Sequence, residues 1–181
     1  MNITLIMVET ADGKTTKWQE NAIHGWSSEE DRNHFHDLIA SHTLLVMGSK
    51  TYDSVKKQVH LSPHILRIVL TRTPDRYGKD AKDGQLEFSD ESPVQLVTRM
   101  EALGYTRMLL AGGSEINRAF LEDRLITDCL ITIEPRFFGS GKSILAPVKT
   151  DTALTLTEVK RLNAQGTLLL RYTVSYEHTT D

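Results

Sequence analysis

The sequence predicts an α/β fold, with a mostly parallel central sheet, helices on both faces and an antiparallel hairpin at the C-terminal end. One observation is that short, apolar, β-prone segments alternate with amphipathic helical segments, as expected for right-handed crossovers between parallel strands. A second is that the last two strand segments follow each other with only a short turn between them. Because no repeat, low-complexity tract or linker divides the chain, we expect residues 1–181 to form a single domain.

Five segments before the hairpin have the length and the β-prone composition of strands, and Gly, Pro or polar residues bound each of them. Because helical segments separate most of these strands, we expect them to lie parallel in one sheet. The predicted strands are Ile3–Glu9, Thr43–Met47, Ile65–Thr71, Arg107–Ala111 and Thr127–Glu134.

Three helical segments are predicted from apolar residues that recur at helical spacing. The clearest is Ser28–Ala40, where "SSEE" offers a capping box at the start and Phe35, Leu38 and Ile39 form one apolar stripe. The other two predicted helices are Pro93–Leu103 and Glu115–Leu121.

The C-terminal segment departs from the alternation of strands and helices. Two strand segments flank the turn "NAQG", and apolar residues recur at every second position of the later one. We therefore expect Leu154–Arg161 and Thr167–Tyr176 to form an antiparallel hairpin. The residues expected on one face of its second strand are Leu168, Leu170, Tyr172, Val174 and Tyr176.

Composition and charge restrict the class of partner. A formal net charge of -3 without a clustered basic stretch gives no surface for nucleic acid or an acidic membrane, so we expect a small-molecule partner. The apolar run near the N-terminus is too short for a signal sequence and no run reaches membrane-spanning length, which favours a cytoplasmic protein. The one cysteine, Cys129, excludes an intrachain disulfide and is expected to be a small core residue.

Two strand-to-helix junctions carry glycine where a ligand would approach the backbone. "MLLAGGSEINRAFLED", Met108–Asp123, runs an apolar strand into Gly112 and Gly113 and then into a helix, and "LLVMGSKTYDSV", Leu44–Val55, repeats the arrangement at Gly48. In an open α/β sheet, ligands bind beyond the carboxyl ends of the strands, where the first N–H groups of a helix face an anion. Two such junctions suit the phosphates of a dinucleotide; the GxGxxG spacing is absent, and two ordinary turns are the alternative.

These junctions belong to a longer series of motifs in which the chain resembles the dihydrofolate reductase superfamily. The motifs are "VMGSKTYDS", "IVLTRTPDR", "LLAGGSEINRAFL" and "DCLITIEPRFFGSGKSIL", and their order and spacing extend the resemblance over almost the whole chain. Within the superfamily, "ADGKTT" and "WSSEEDRNHFHDL" are similar to the pyrimidine reductase domain of bacterial riboflavin biosynthesis, whereas "GSKTYDS" is more similar to the dihydrofolate reductases. The resemblance implies a dihydrofolate reductase-like three-layer sandwich.

The resemblance also implies a nicotinamide cofactor, NADPH, at both glycine junctions, and a cis peptide bond between the paired glycines. Ser49 stands where many relatives carry arginine, so Arg72 or Lys50 would have to bind the 2′-phosphate, and NADH is the alternative cofactor. The residues that the resemblance places around the cofactor are Gly48, Ser49, Lys50, Thr51, Thr71, Arg72, Gly112, Gly113, Ser114, Glu115 and Ile116.

Asp31 is the candidate for handling a proton. It lies four residues before Phe35 on the apolar stripe of the first helix, where a surface acid would not point. The alternative is a first-turn aspartate that the helix dipole stabilises. The resemblance matches Asp31 to the single pocket acid of the dihydrofolate reductases and Thr132 to the strand threonine that partners this acid. It also places Asp12 and Lys14 of "ADGK" beside the substrate.

Three classes of function remain open on this basis. The first is an NAD(P)H-dependent reductase of 5-amino-6-(5-phosphoribosylamino)uracil, the second a dihydrofolate reductase, and the third a nucleotide-binding protein without catalysis. Hydride transfer needs no metal, and His34 and His36 do not share a helix face that could hold one. No zinc deaminase signature occurs, so a riboflavin-pathway role would need the deaminase on another chain. The resemblance further implies a homodimer.

Overall fold

The computed structural model describes residues 1–18, 20 and 25–176, and its main feature is one eight-stranded sheet with helices packed on it. The strands are β1 (Asn2–Thr10), β2 (Leu44–Gly48), β3 (Leu66–Leu70), β4 (Leu86–Ser89), β5 (Arg107–Leu110), β6 (Asp128–Glu134), β7 (Ala153–Arg161) and β8 (Leu168–Ser175). The helices are α1 (Glu29–Ala40), α2 (Ser49–Val55), α3 (Pro93–Ala102) and α4 (Ser114–Glu122), with a 3-10 helix at Pro74–Tyr77.

Strand pairing confirms the predicted fold class. The strands lie in the order β4-β3-β2-β5-β1-β6-β8-β7, which places β1 near the centre. From β4 to β6 all neighbours are parallel, with Asn2 of β1 opposite Arg107 and Thr4 opposite Asp128. The hairpin of β7 and β8 is antiparallel, and β8 also pairs antiparallel with β6. Because parallel neighbours need crossovers, the helices lie over the sheet.

Helices cover both faces of the sheet, as the alternation of strands and helices predicts. On one face, α3 and α4 pack Met100 and Phe120 against side chains of β1, β2, β3 and β5. Both residues are fully buried, and each such burial contributes about 1.5–3 kcal/mol. On the other face, α1 and α2 pack Phe35 and Tyr52 against the sheet. None of the helices formed by the described residues is long and apolar enough to cross a membrane.

The capping box expected at "SSEE" does not form. Ser28 is the N-cap of α1, and its side chain accepts a hydrogen bond from the Asp31 N–H at 3.3 Å. The Ser28 N–H donates to Glu134 of β6, at 2.6 Å, and Asp31, three residues after Ser28, is buried in the protein interior. A complete capping box is present at α3, where Ser92 and Gln95 exchange hydrogen bonds.

The structure contains one strand that the sequence does not predict. β4 is four residues long, and its burial does not alternate, so it lacks the period of two that indicates a strand. It is the edge strand beside β3, and Arg67 to Leu70 of that strand pair with it in parallel. β4 is therefore extended because it pairs with the buried strand β3, and not because of its own composition.

The predicted hairpin is confirmed, and its two strands differ in burial. Tyr172 and Val174 of β8 pack against the core beneath α3 and α4, on the face that the alternation predicts. All nine residues of β7, the other edge of the sheet, are exposed. Leu154, Leu156 and Val159 are therefore apolar side chains on an open edge, where unpaired strand groups can meet a second chain.

Candidate active site

The predicted site residues collect at the carboxyl edge of the parallel strands. Along this edge, β3 ends before Thr71, β2 ends at Gly48, β5 ends before Gly112, β1 ends at Thr10 and β6 ends at Glu134. The cofactor candidates lie on one side of β1, and the candidate acid lies on the other side, where α1 begins above β6. This edge is where open α/β sheets bind their ligands.

The two glycine junctions lie side by side, because β2 and β5 are neighbours in the sheet. The Gly48 N–H donates a hydrogen bond to the Gly112 carbonyl oxygen at 2.7 Å, and the Ala111 N–H donates to the Val46 carbonyl oxygen at 2.9 Å. The peptide bond between Gly112 and Gly113 is cis, as the resemblance implies, and Gly112 has a φ of +77, which favours glycine. The two junctions therefore form one continuous main-chain surface, which we call the cofactor cradle (Gly48–Thr51 and Gly112–Ile116).

A side chain on any of the junction glycines would crowd the cradle. A Cβ at Gly48 would lie 2.7 Å from Cγ1 of Ile116, and a Cβ at Gly113 would lie 3.2 Å from Oγ1 of Thr51. These two glycines are also the N-caps of α2 and α4, and among the described residues no side chain caps either helix. The first N–H groups of the helices are thus free for an anion, which is the fit that dinucleotide phosphates require.

The polar cofactor candidates differ in what their side chains contact. The Ser49 hydroxyl hydrogen-bonds to a tyrosine hydroxyl of the 3-10 helix. The Glu115 carboxylate pairs with Arg118 at 3.3 Å, so Glu115 has its main-chain N–H left for a phosphate. Lys50 and Arg72 are exposed just beyond the ends of β2 and β3, where their charges can meet a ligand anion.

The remaining cofactor candidates hold the edge together. The Thr71 hydroxyl accepts a hydrogen bond from the Thr73 N–H at 3.3 Å. The Ser114 carbonyl oxygen accepts one from the Ala146 N–H at 3.1 Å, which ties the start of α4 to the segment after β6. Ile116 packs against the main core and under Gly48.

Asp31 lies between the start of α1 and β6, and we call it and its neighbours the acid pocket (Ser27, Asp31, Thr132 and Glu134). It is 8% exposed, and in α1, every residue of which is described, it is the one buried residue. Its carboxyl group hydrogen-bonds to the hydroxyls of Thr132 and Ser27. The contact with Thr132 is the pairing that the resemblance implies. A first-turn aspartate that served only the helix dipole would lie in solvent, so the structure favours an interior acid.

Burial raises the pKa of Asp31 above its ordinary value, and the negative charge of Glu134 adds to the rise. The hydrogen bonds from Thr132 and Ser27 and the charge of His34 oppose this rise without cancelling it. Asp31 therefore keeps a proton to higher pH than an exposed aspartate does, which suits a group that donates one.

Glu134 is a pocket residue that the sequence does not indicate. It ends β6, is 2% exposed, and accepts hydrogen bonds from the Ser28 N–H at 2.6 Å and from the Thr167 hydroxyl at 2.8 Å. The sequence feature that could have identified Glu134 is an acidic residue at the end of the apolar stretch in "LITIEP". Its partners lie 106 and 33 residues away along the chain, so no local pattern points to them.

Asp12, a predicted substrate residue, fastens the loop after β1 to the loop after β6. Its carboxylate accepts hydrogen bonds from the Thr10 hydroxyl and from the N–H groups of Phe138 and Gly139. The bond from Thr10 is the largest of the effects that lower the pKa of Asp12. These contacts give Asp12 a structural role, and a direct contact with substrate stays a prediction.

The same two loops meet again a few residues further on. The Lys142 N–H donates to the Thr16 hydroxyl at 3.0 Å. Gly141 has a φ of +150, and a Cβ there would lie 1.9 Å from the Thr16 carbonyl oxygen, so glycine is required in "FFGSGKSIL". Lys14 lies near Glu9; burial raises the pKa of the Glu9 carboxyl, and the Lys14 charge lowers it. Lys14 is thus close enough to Glu9 for the two charges to interact.

Two relatives align with most of the chain. One is the uncharacterized protein YwjB of Bacillus subtilis, which is 25% identical over 162 residues, 87% of this chain and 90% of YwjB. The other is the dihydrofolate reductase of Mycobacterium leprae, which is 32% identical over 155 residues, 84% of this chain and 85% of the relative.

The fold and the family are shown by two further comparisons. The diaminohydroxyphosphoribosylaminopyrimidine deaminase/5-amino-6-(5-phosphoribosylamino)uracil reductase of Thermotoga maritima superposes with a TM-score of 0.74 at 17% identity, covering 95% of this chain and 56% of that chain. At this identity the likeness shows a common fold. The family model of the RibD C-terminal domain matches residues 2–168, which include every residue of the cofactor cradle and of the acid pocket. The chain therefore belongs to the RibD C-terminal domain family.

Proposed function

We propose that this protein is a reductase that uses a reduced nicotinamide dinucleotide. The observation that carries the proposal is the arrangement on the two sides of β1: a main-chain cradle at Gly48 and Gly112–Gly113, and the buried acid Asp31, held by Thr132. A nicotinamide dinucleotide needs the first, and reduction with proton uptake needs the second. Membership of the RibD C-terminal domain family supports the same function.

Each part of the site has a role that its chemistry permits. When bound, the nicotinamide would supply the hydride. The free N–H groups at the start of α4 would hold the pyrophosphate, and the missing side chain at Gly113 lets the main chain come close to it. Asp31, whose pKa burial raises, would donate a proton to a substrate nitrogen.

Within this class, we propose 5-amino-6-(5-phosphoribosylamino)uracil as the substrate. The family assignment supports it, as does the fold shared with a Thermotoga maritima protein that is described as a reductase of this compound. The loops that Asp12 joins follow β1 and β6, the strand that carries Thr132 and Glu134 of the acid pocket. The test is whether the purified protein oxidises NADPH when the compound is added, followed by the loss of NADPH absorbance.

Dihydrofolate is the second candidate substrate. Two observations favour it: the bond between Asp31 and Thr132, and the 32% identity to a dihydrofolate reductase. Both substrates should therefore be assayed side by side with one enzyme preparation. Faster oxidation with dihydrofolate would reverse the substrate assignment. Bound NADPH with no oxidation by either substrate would leave the third function, nucleotide binding without catalysis.

We further propose that the cofactor is NADPH, that the protein is a homodimer in the cytoplasm, and that residues 1–181 act as one domain. The exposed cations Lys50 and Arg72 at the cradle support the phosphorylated cofactor. The exposed apolar residues of β7 support self-association. The single thiol, Cys129, is buried and unpaired, which is consistent with a reducing compartment. One sheet that runs from β1 to β8 supports a single domain.

A further inference from the structure

We propose that Glu134 is a positioning residue that holds Asp31 in its inward orientation, by accepting the Ser28 N–H that an acid in Asp31's place would otherwise bind. The proposal rests on the proposed function, in which Asp31 is the proton donor. In a capping box, the side chain three residues after the N-cap bonds back to the N-cap N–H. Asp31 stands three residues after Ser28, the N-cap of α1, and has the chemistry to do this. Its carboxyl group bonds instead to Thr132 and Ser27.

The geometry of Glu134 fixes its carboxylate between three elements of the fold. One oxygen accepts the Ser28 N–H at the start of α1, and the other accepts the Thr167 hydroxyl just before β8. The residue itself ends β6 and is 2% exposed, so its two anchors hold it in one place. Glu134 forms no salt bridge with any cation among the described residues, so its burial is not explained by ion pairing.

Glu134 and Thr132 divide two tasks at the pocket. Residues two apart on a strand point to the same face, so both side chains of β6 face the start of α1. The Thr132 hydroxyl donates a hydrogen bond to the Asp31 carboxyl group. Glu134 accepts the Ser28 main-chain N–H, which would otherwise compete for the Asp31 carboxyl group. Loss of the Glu134 bond would leave a partly buried N–H without a partner, and Asp31, at the capping-box position three residues after Ser28, could satisfy it.

Glu134 also acts on Asp31 through its charge. Burial is the main cause of the raised pKa of Asp31, and Glu134 from β6 raises it further. The charge of His34, one turn later on α1, lowers it, as do the hydrogen bonds from Thr132 and Ser27. Removing the Glu134 charge should therefore let Asp31 ionise at lower pH.

The decisive variant is Glu134→Leu, which removes both the charge and the acceptor of the Ser28 N–H. The titration of the Asp31 carboxyl is followed by carbon NMR in the free protein, and kcat and KM are measured against pH. We expect the Asp31 midpoint to move to lower pH, and the loss of kcat with rising pH to begin earlier, with KM changed less. Thr132→Val should move the midpoint the opposite way, and exposed Glu122→Gln should leave it in place.

Amide exchange separates positioning from general damage to the fold. Thr167→Val removes one anchor of Glu134 and keeps its charge, so the Ser28 N–H should exchange faster and kcat should fall. An Asp31 midpoint that stays at the wild-type value in folded Glu134→Leu would overturn the proposal. If that variant does not fold, Thr167→Val decides: wild-type Ser28 exchange and wild-type kcat would overturn it equally.

The titration in the free protein makes this proposal separable from the proposed function. An enzyme that reduces neither substrate, with an Asp31 midpoint that shifts as expected, would remove the reductase assignment and keep the role of Glu134 as the residue that orients Asp31. An active reductase with an unmoved midpoint would keep the function and remove that role.

Discussion

The two halves of the candidate site, on either side of β1, are built from different parts of the chain. The cofactor cradle is made of main chain, with Gly48 bonded to Gly112 and two uncapped helix starts. The acid pocket is made of side chains, in which Asp31, Thr132 and Glu134 are held by hydrogen bonds. A site made of main chain loses ligand binding when side-chain atoms are added to it. A site made of side chains loses its chemistry when a proton or a charge is removed, even if its shape is kept. The two halves should therefore respond to opposite kinds of substitution.

The largest expected effect comes from changing protonation in the acid pocket. Asp31→Asn keeps the shape of the pocket and should lower turnover by about 10²–10⁴-fold, the usual contribution of a positioned acid. Affinity for NADPH should stay at the wild-type value. Steady-state kinetics and calorimetric titration measure the two quantities. Glu30→Gln, an exposed neighbour on α1, is the matched control and should change neither.

The same variant tests the burial of Asp31 through stability. Because burial raises the pKa of Asp31, the folded protein loses stability as pH rises through that raised value, whereas asparagine does not titrate. Between acid and neutral pH, the free energy of unfolding of Asp31→Asn should therefore rise relative to that of the wild type. A helix-dipole aspartate would give the reverse, a loss of about 0.3–1 kcal/mol with turnover intact. Full activity of the variant on the pyrimidine substrate alone would remove the acid's catalytic role and keep the reductase assignment.

Adding atoms to the cradle should damage the other half of the site. Gly113→Val brings a Cβ to 3.2 Å from the Thr51 hydroxyl and adds two methyl groups. Overpacking of this kind costs about 1–3 kcal/mol, so NADPH affinity should fall by about 10–100-fold. The Asp31 titration should not change. Gly78→Ala, whose Cβ would meet its nearest neighbour at 3.6 Å, is the control, and wild-type affinity in folded Gly113→Val would remove the cofactor assignment.

A smaller effect should distinguish the two forms of the cofactor. Arg72→Gln removes an exposed cation beyond β3 and should weaken NADPH binding by about tenfold, as expected for one charge-assisted hydrogen bond. NADH binding should be unchanged, because NADH lacks the 2′-phosphate. Titration of both cofactors into wild type and variant tests this. Equal losses for NADPH and NADH would show that Arg72 does not recognise the phosphate.

The smallest expected effect on turnover comes from the edge of the sheet farthest from the cradle. Val159→Lys on β7, where the valine is 56% exposed, adds charge to the surface proposed for dimerisation. Light scattering at micromolar concentration should show a monomer, with cofactor affinity retained. Val94→Lys on α3, where the valine is 50% exposed, is the matched control and should stay dimeric. A wild-type protein that is monomeric in the same measurement would contradict the proposed homodimer.

The part of the site made of main chain is also the part that the sequence predicts well. Glycine at the end of an apolar strand is a local signal, and both junctions lie where this signal places them, at Gly48 and at Gly112–Gly113. Asp31 is found for a similar reason, since its spacing from Phe35 is a property of one helix. Seven of the eight strands and the hairpin follow from local periodicity in the same way.

The parts that the sequence does not predict depend on contacts between distant segments. The expectation of a capping box at "SSEE" is wrong because a strand residue, Glu134, supplies the bond that the helix itself was expected to make. The role of Asp12 as a loop fastener depends on Phe138 and Gly139, which the fold brings to it. β4 is extended because β3 is beside it. Each of these depends on tertiary structure, which local pattern does not contain.

The central position of β1 has a consequence for the order in which the chain can fold. β1 is the earliest of the eight strands to leave the ribosome, yet both of its neighbours, which start at Arg107 and Asp128, are made much later. Closing so long a loop lowers the entropy of the chain before any strand pairing offsets this cost, and such topologies fold slowly. A nascent chain that ends before Asp128 would carry an apolar strand with one side unpaired, exposed to chaperones until β6 has been synthesised.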